Sequence, residues 1–126
     1  MASTVRGCNV SPASKREMVL AAKVSMRIAA RQVPAIPGAL QSIHAGFIPG
    51  GLNANRDFAE CTVRYSGELE SEIKTLLYDP QTAGGLLLSV PSESTQGLIG
   101  ALQLAGVLAI RIGEVIPKVD PLIEVH

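Results

Sequence analysis

No tryptophan occurs in the 126 residues, and there are only two tyrosines and two phenylalanines. So few flat faces exclude an aromatic stacking platform for nucleic-acid bases. Charge of one sign is missing too, because 11 Lys plus Arg balance 11 Asp plus Glu. No net field draws the chain to nucleic acid or to an anionic membrane surface, so neither is expected as a partner. No apolar run reaches the roughly 20 residues that a helix needs to cross a bilayer, and the first residues do not form a signal peptide. That leaves the cytoplasm as the default expectation. Cysteine is scarce, and Cys8 and Cys61 lie at no metal-ligand spacing. They read as free thiols in a reducing compartment, Cys61 within a strand pattern where a buried thiol is ordinary. There is no P-loop lysine and no clustered set of aspartates, which are the parts that phosphoryl transfer requires. Internal repeats and low-complexity tracts are absent as well.

What is present is 47% apolar content with modest charge, enough for one domain with a real core. Met1 to Ala13 has no periodicity and reads as a flexible leader, with the domain running over 14–126. Ser14-Lys15-Arg16-Glu17 has capping-box spacing and opens a short helix to about Ala22. Val24 to Ile28 alternates as a strand does. Pro34 and Pro37 make Arg31 to Pro37 a loop, after which a helix runs to His44 or Ala45 with Gly46 as its left-handed cap. His44 has no companion at metal spacing and reads as solvated or packed. Phe47 to Phe58 reads as a loop, because Pro49-Gly50-Gly51 cannot continue a helix. Its Asn55 is either a surface-turn residue or part of a polar shelf. Cys61 to Tyr65 is β-prone, and Glu68, Glu70 and Glu72 suit the start of the next helix. A helix opening near Ser92 or Ser94 ends at Gly106, a strand follows from Leu108 to Ile112, and Leu122 to Val125 can add a last edge strand.

The organising stretch is Leu76 to Val90. Leu69, Ile73, Leu76 and Leu77 share one helical face. Pro80 stops that helix and biases Asp79 to extended backbone. Gln81 and Thr82 are polar, and Ala83-Gly84-Gly85 is nearly bare main chain. Leu86 to Val90 is an apolar run without alternation, as expected of a central strand covered on both faces. The plain reading is a tight turn feeding a core strand. The other reading is that Gly84 and Gly85 let backbone amides face a ligand or a neighbouring domain, with Asp79 as an Asx turn or a free carboxylate.

Asp79-Pro80-Gln81-Thr82-Ala83-Gly84-Gly85-Leu86-Leu87 resembles the Asp-Pro-Gln-Thr-Ser-Gly-Gly-Leu-Leu block of selenophosphate synthetases, the selenide, water dikinases, departing only at Ala83. Val33-Pro34-Ala35-Ile36-Pro37-Gly38-Ala39 resembles their Val-Pro-x-x-Pro-Gly-Ala segment. Gly46 to Asn55 resembles their Gly-x-x-Pro-Gly-Gly-Thr-x-x-Asn segment, with Leu52 in place of Thr. Ile112-Gly113-Glu114-Val115 matches a segment near their C-terminus. The blocks occur in the family's order and cover roughly Arg16 to Val115.

The resemblance implies the C-terminal domain of such an enzyme, similar in fold to the C-terminal domain of aminoimidazole ribonucleotide synthetases. The fold class is therefore α/β or α+β, a mixed sheet of four to six strands with helices mainly on one face. The reaction it implies converts ATP, selenide and water to selenophosphate, AMP and phosphate, with ATP and Mg²⁺ as cofactors of the full-length enzyme. None is expected on this chain alone. The family's catalytic Cys-Lys segment and its metal-binding Asp block have no match here. Gly7-Cys8-Asn9-Val10-Ser11-Pro12 echoes the former only faintly, with Asn9 where Lys is needed. No catalytic residue is assigned and no metal ligand. Asp79, Gln81, Thr82, Gly84, Gly85 and Asn55 are the candidate nucleotide-side residues, forming or buttressing one wall of a site completed by the missing N-terminal domain. Loss of that domain would leave an apolar surface favouring a homodimer. The alternative is a stand-alone small-ligand-binding or dimerisation module of ferredoxin-like type.

Overall fold

The computed structural model describes residues 2–6, 21–81 and 85–126. Six strands, β1 (Ala2–Arg6), β2 (Val24–Ile28), β3 (Val63–Tyr65), β4 (Leu87–Pro91), β5 (Ile110–Pro117) and β6 (Ile123–Val125), form one mixed sheet in the order β3-β6-β2-β5-β1-β4. Four α-helices lie wholly within the described residues: α1 (Ala39–His44), α2 (Gly50–Ala59), α3 (Ser71–Leu76) and α4 (Thr95–Leu104). This is the expected α+β class, at the upper end of the expected strand number. Strand β6 runs parallel to both β3 and β2, while β2–β5, β5–β1 and β1–β4 are antiparallel.

Alternation in the strands sorts their side chains onto two faces. Met26 and Ile28 of β2, and Ile123 and Val125 of β6, are nearly inaccessible. They form the core with Ala30, Val33, Ile112 and Leu77, against which Ile73 of α3 also packs. The opposite face carries a row of alternating charge. Register places Arg64, Glu124, Arg27 and Glu114 side by side across β3, β6, β2 and β5. Arg27 closes two of the contacts, at 2.7 Å to Glu114 and 3.2 Å to Glu124. The hydrogen bonds it donates to Glu124 and then to Glu114 raise its pKa further. On the same face Ser25 is fully buried, its hydroxyl donating to the Val119 carbonyl and accepting from the Val119 amide.

Glycine ends two of the helices as the sequence predicts. Gly46 and Gly106 have φ of 85° and 75°. Their amides bond Ile43 and Gln103, and the next amides, of Phe47 and Val107, reach back to Ser42 and Leu102. Both are Schellman closures.

Five expectations need correction. Phe47 to Phe58 is not a loop throughout. Pro49 sits at the N-cap, and α2 begins at Gly50 because Leu52 and Ala59 supply a buried stripe that outweighs the poor propensity of two glycines. The Leu87–Pro91 strand is not central; among the described residues it pairs with β1 alone, at the edge of the sheet, and Leu86 before it is exposed. An apolar run reports burial from any source, not position in a sheet. Conversely, β6 is not an edge strand but lies between β3 and β2. Cys61 is an exposed thiol in a 3-10 turn over Glu60–Thr62, with β3 starting only at Val63. Finally, Ala2–Arg6 within the supposed leader is a strand between β5 and β4. The helix expected from Lys15 falls outside the described residues except for helical Ala21 and Ala22, and the Gly7 to Pro12 segment lies wholly outside them.

Candidate functional site

Strand direction fixes where the conspicuous segments meet. Ile28, Val125 and Tyr65 are level across β2, β6 and β3, all of which finish there. Arg6 stands opposite both Ile110 and Leu87, where β5 and β4 begin. The turn that delivers the chain into β4 therefore lies at the same end of the sheet as the finish of β2 and the start of β5. A cleft of about 1050 Å³ opens here. Its walls include Arg31, Gln32 and Val33 after β2, Leu40 of α1, Ile73 of α3 and Arg111 of β5. The cleft thus combines an apolar floor with guanidinium groups at its margin. Arg31 pairs with Glu70 at 3.0 Å, and Arg111 reaches Glu114 at 3.7 Å.

Two of the sequence blocks converge beside this end. The side chain of Asn55 on α2 donates to the Tyr78 carbonyl at 3.1 Å. A Cβ added at Gly51 would lie 3.2 Å from Pro80 Cγ, so the bare glycine lets α2 pack directly on the proline that stops α3. Leu52, Ala59 and Tyr78 form a small buried cluster with Tyr65 against it. Within it the Tyr65 hydroxyl donates to the Tyr78 hydroxyl at 2.8 Å. Burial first, and that bond second, push the Tyr65 phenol well above its ordinary pKa, and burial raises Tyr78 as well. The Arg56 guanidinium lies 5.6 Å from the Tyr78 ring centroid and donates to the Thr75 hydroxyl at 3.2 Å. Tyr78 is thus gripped at its carbonyl, its ring and its hydroxyl, which anchors the start of the Asp79 turn.

Of the predicted site residues, Asn55, Asp79, Gln81 and Gly85 are half-buried at the surface. The Asp79 amide bonds the Leu76 carbonyl at 3.1 Å, closing α3. Thr82 and Gly84 lie outside the described residues. Asn55 is brought to the turn, but through Tyr78 and not through the predicted residues themselves. Sequence reasoning missed Tyr65, Tyr78 and Arg56. The spacing of Tyr65 from Val63 in a strand, and of Arg56 from Leu52 and Ala59 on a helix, was the available signal. For Arg31, in a single 3-10 turn over Ala30–Gln32, there was none.

The described residues do not fit a magnesium site. No three His, Cys, Asp or Glu side chains among them converge. Glu70, Glu72, Glu114 and Glu124 are each engaged by Arg31, His44, Arg27 or Arg111. His44, expected to be solvated or packed, is exposed and bonds Glu72 at 2.7 Å.

Comparison with known proteins gives this geometry a family. The chain is 38% identical over 110 residues to a selenide, water dikinase of Clostridioides difficile, which covers 86% of this chain and 32% of that protein. It is 40% identical over 103 residues to one from Pelobacter propionicus, 81% of this chain and 30% of the relative. An Escherichia coli selenide, water dikinase is 37% identical over 101 residues, 80% of this chain and 28% of its own length. This chain is a relative of the selenide, water dikinases. It spans about a third of the length of the curated relatives it matches, in agreement with a selenophosphate synthetase C-terminal domain. No protein-family model matches it. Among the described residues no helix is long and apolar enough to cross a membrane.

Proposed function

We propose that this chain serves as the C-terminal-type domain of an ATP-dependent selenophosphate synthetase, in which ATP, selenide and water yield selenophosphate, AMP and phosphate. The observation that carries the reading is the joining of two dikinase-like blocks, Gly46 to Asn55 and Asp79 to Leu87, by the packing of Gly51 on Pro80 and by the Asn55 bond to Tyr78 just before the second block, in a chain 37–40% identical to dikinases. Phosphoryl transfer needs positioning and neutralisation of phosphate charge, usually by Mg²⁺ on carboxylates. ATP and Mg²⁺ belong in this reading to the assembled enzyme, and a second domain supplies the nucleophile and the metal ligands. This chain supplies a wall. The Asn55–Tyr78 bond and the Gly51–Pro80 contact set the path of the chain into Asp79 and Gln81. In this reading Gln81 and Gly85 offer main-chain amides, and Asp79 its carboxylate, toward the nucleotide or product.

The test mixes this chain with the two thirds of the C. difficile dikinase that it does not match, under reducing, oxygen-free conditions with ATP, Mg²⁺ and selenide. Phosphorus NMR follows selenophosphate and AMP. Product is expected from the mixture and from neither piece alone. Turnover by this chain alone, or none from a mixture in which the two pieces bind tightly, overturns the reading.

A further inference from the structure

We propose that β4 is an open pairing edge and that its occupant is β4 of a second copy of this chain, joined antiparallel about a twofold axis at Ser89. Among the described residues the sheet ends in β3 on one side and in β4 on the other. An edge strand presents amides and carbonyls that have no partner in the sheet, and folded proteins ordinarily guard such a row by shortness, charge or proline. The two edges differ in that respect. β3 is three residues long, with Arg64 exposed at its centre. Paired with itself about its middle, it would set Arg64 against Arg64, and like charges directly opposite are destabilising. β4 is five residues long, Leu87-Leu88-Ser89-Val90-Pro91, and carries no charge. Pro91 is its one guard. It stands at the last position, where it removes a single donor from the end of a ladder.

The residues around β4 extend the pattern. From Leu86 to Ala109 the sole charged side chain is Glu93. α4, which rests against β1 beside β4, has no charged residue, and Thr95 is the one residue it buries. Leu86, just before β4, is 73% exposed, and Leu104, at the end of α4, is 93% exposed. A twofold contact lays a patch on itself, so a charge near the axis meets its own image. A stretch free of charge escapes that cost, and this singles out a second copy as the occupant. The register follows from the strand. With the axis at Ser89, Leu88 of each copy faces Val90 of the other, an apolar pair on both sides of the centre. Glu93 falls beyond the ladder at each end, away from its image. The new main-chain bonds run along the whole edge, as in strand addition to any open sheet. The edge is there whatever reaction the chain serves, so loss of the assigned function leaves it standing.

Sedimentation equilibrium of the whole chain from about 1 μM to about 1 mM is the test. The mass is expected to rise from 13.2 kDa toward twice that value. Ser89 is exposed, so the fold tolerates Ser89→Lys and Ser89→Glu, which thermal unfolding verifies. Each variant alone puts like charges on the axis and is expected to raise the dissociation constant about fivefold. Mixed in equal amounts, the two set Lys against Glu, and association returns to the wild-type level or beyond it. Amide exchange on the unaltered chain needs no substitution. Alternate β4 amides, open in a single copy, are expected to slow as concentration rises, while those of β3 do not. A chain that stays monomeric across the range overturns the proposal. So does a dimer indifferent to both Ser89 variants, or one that both weaken and their mixture does not restore. The last contrary result comes on adding the unmatched two thirds of the C. difficile dikinase. If β4 amides are protected only by that addition, with this chain monomeric, the occupant is that polypeptide and not a second copy.

Discussion

Gly113 is where one methyl group would matter most. It lies in β5 opposite Ile28, and a Cβ built there would run into the Arg27 carbonyl oxygen, with the Arg27 carbonyl carbon and Ile28 Cα each at 3.2 Å. Backbone in the middle of a sheet cannot swing aside as the tip of a side chain can. Gly113→Ala should therefore cost about 1–3 kcal/mol, the range for overpacking a filled site, read from the urea midpoint. Gly51→Ala meets only the flexible ring of Pro80 at 3.2 Å and should cost clearly less. If Gly113→Ala proved as mild as Gly51→Ala, the close approach of β2 and β5 would be wrong. Asn55 makes a different argument. Its amide donates to a single carbonyl, that of Tyr78. Asn55→Ala leaves that acceptor without this donor and should cost about 1 kcal/mol. Amide exchange should quicken at Asp79 and Gln81 more than in β2. Uniform exchange across the chain would show that Asn55 does not hold the turn.

At the level of helices and strands, α1 and α3 are joined at the surface by His44 and Glu72. The bond from His44, then that from Ser71, then backbone hydrogen bonding, hold the Glu72 carboxyl at a pKa of about 2. A carboxylate so depressed stabilises the fold at every pH above its unfolded value of about 4.3. The contribution fades as acid carries the pH from there down through about 2, and neutral or alkaline pH leaves it intact. A carbon NMR titration should find the low midpoint for Glu72, and His44→Ala should return it toward the ordinary carboxylate range. A Glu72 midpoint unmoved by that substitution would assign the shift to Ser71 and the backbone instead. These two helices also mark how far sequence reasoning reaches. Gly46 and Gly106 announced the ends of α1 and α4 because a positive φ is a local demand that glycine answers. Ile73, Leu76 and Leu77 announced α3 by their spacing. The α2 helix was hidden because Pro49-Gly50-Gly51 has the local chemistry of a turn, while the buried stripe that makes it helical needs Tyr78, nineteen or more positions away. The candidate site was half legible for the same reason. Asn55 and Asp79 stood out as letters, but their link through the Tyr78 carbonyl is a tertiary fact that no local pattern encodes.

For the molecule as a whole, the decisive feature is the place of β6. Its three residues come last in the chain order of strands yet sit between β3 and β2, parallel to both. Local pattern cannot anticipate that placement, because parallel neighbours are brought together only by long connections. Ile123 and Val125 are almost completely buried in the core, each worth about 1.5–3 kcal/mol in transfer from water. The Met26 amide donates to Leu122, the Ser66 amide to Val125, and the His126 amide and carbonyl close on Ile28 and Ala30. Deleting residues 122–126 thus removes about 3–6 kcal/mol of side-chain burial and strips two strands of their shared partner. Domains of this size have only about 5–15 kcal/mol in total. The truncated chain is expected to lose its cooperative thermal transition and to bind a hydrophobic dye, whereas Val125→Ala should keep the transition at a lower midpoint. A sharp transition surviving the deletion would mean that β3 and the Tyr65–Tyr78 pair are held to the sheet by something other than β6. The anchoring of the Asp79 turn would then have to be sought in α2 alone.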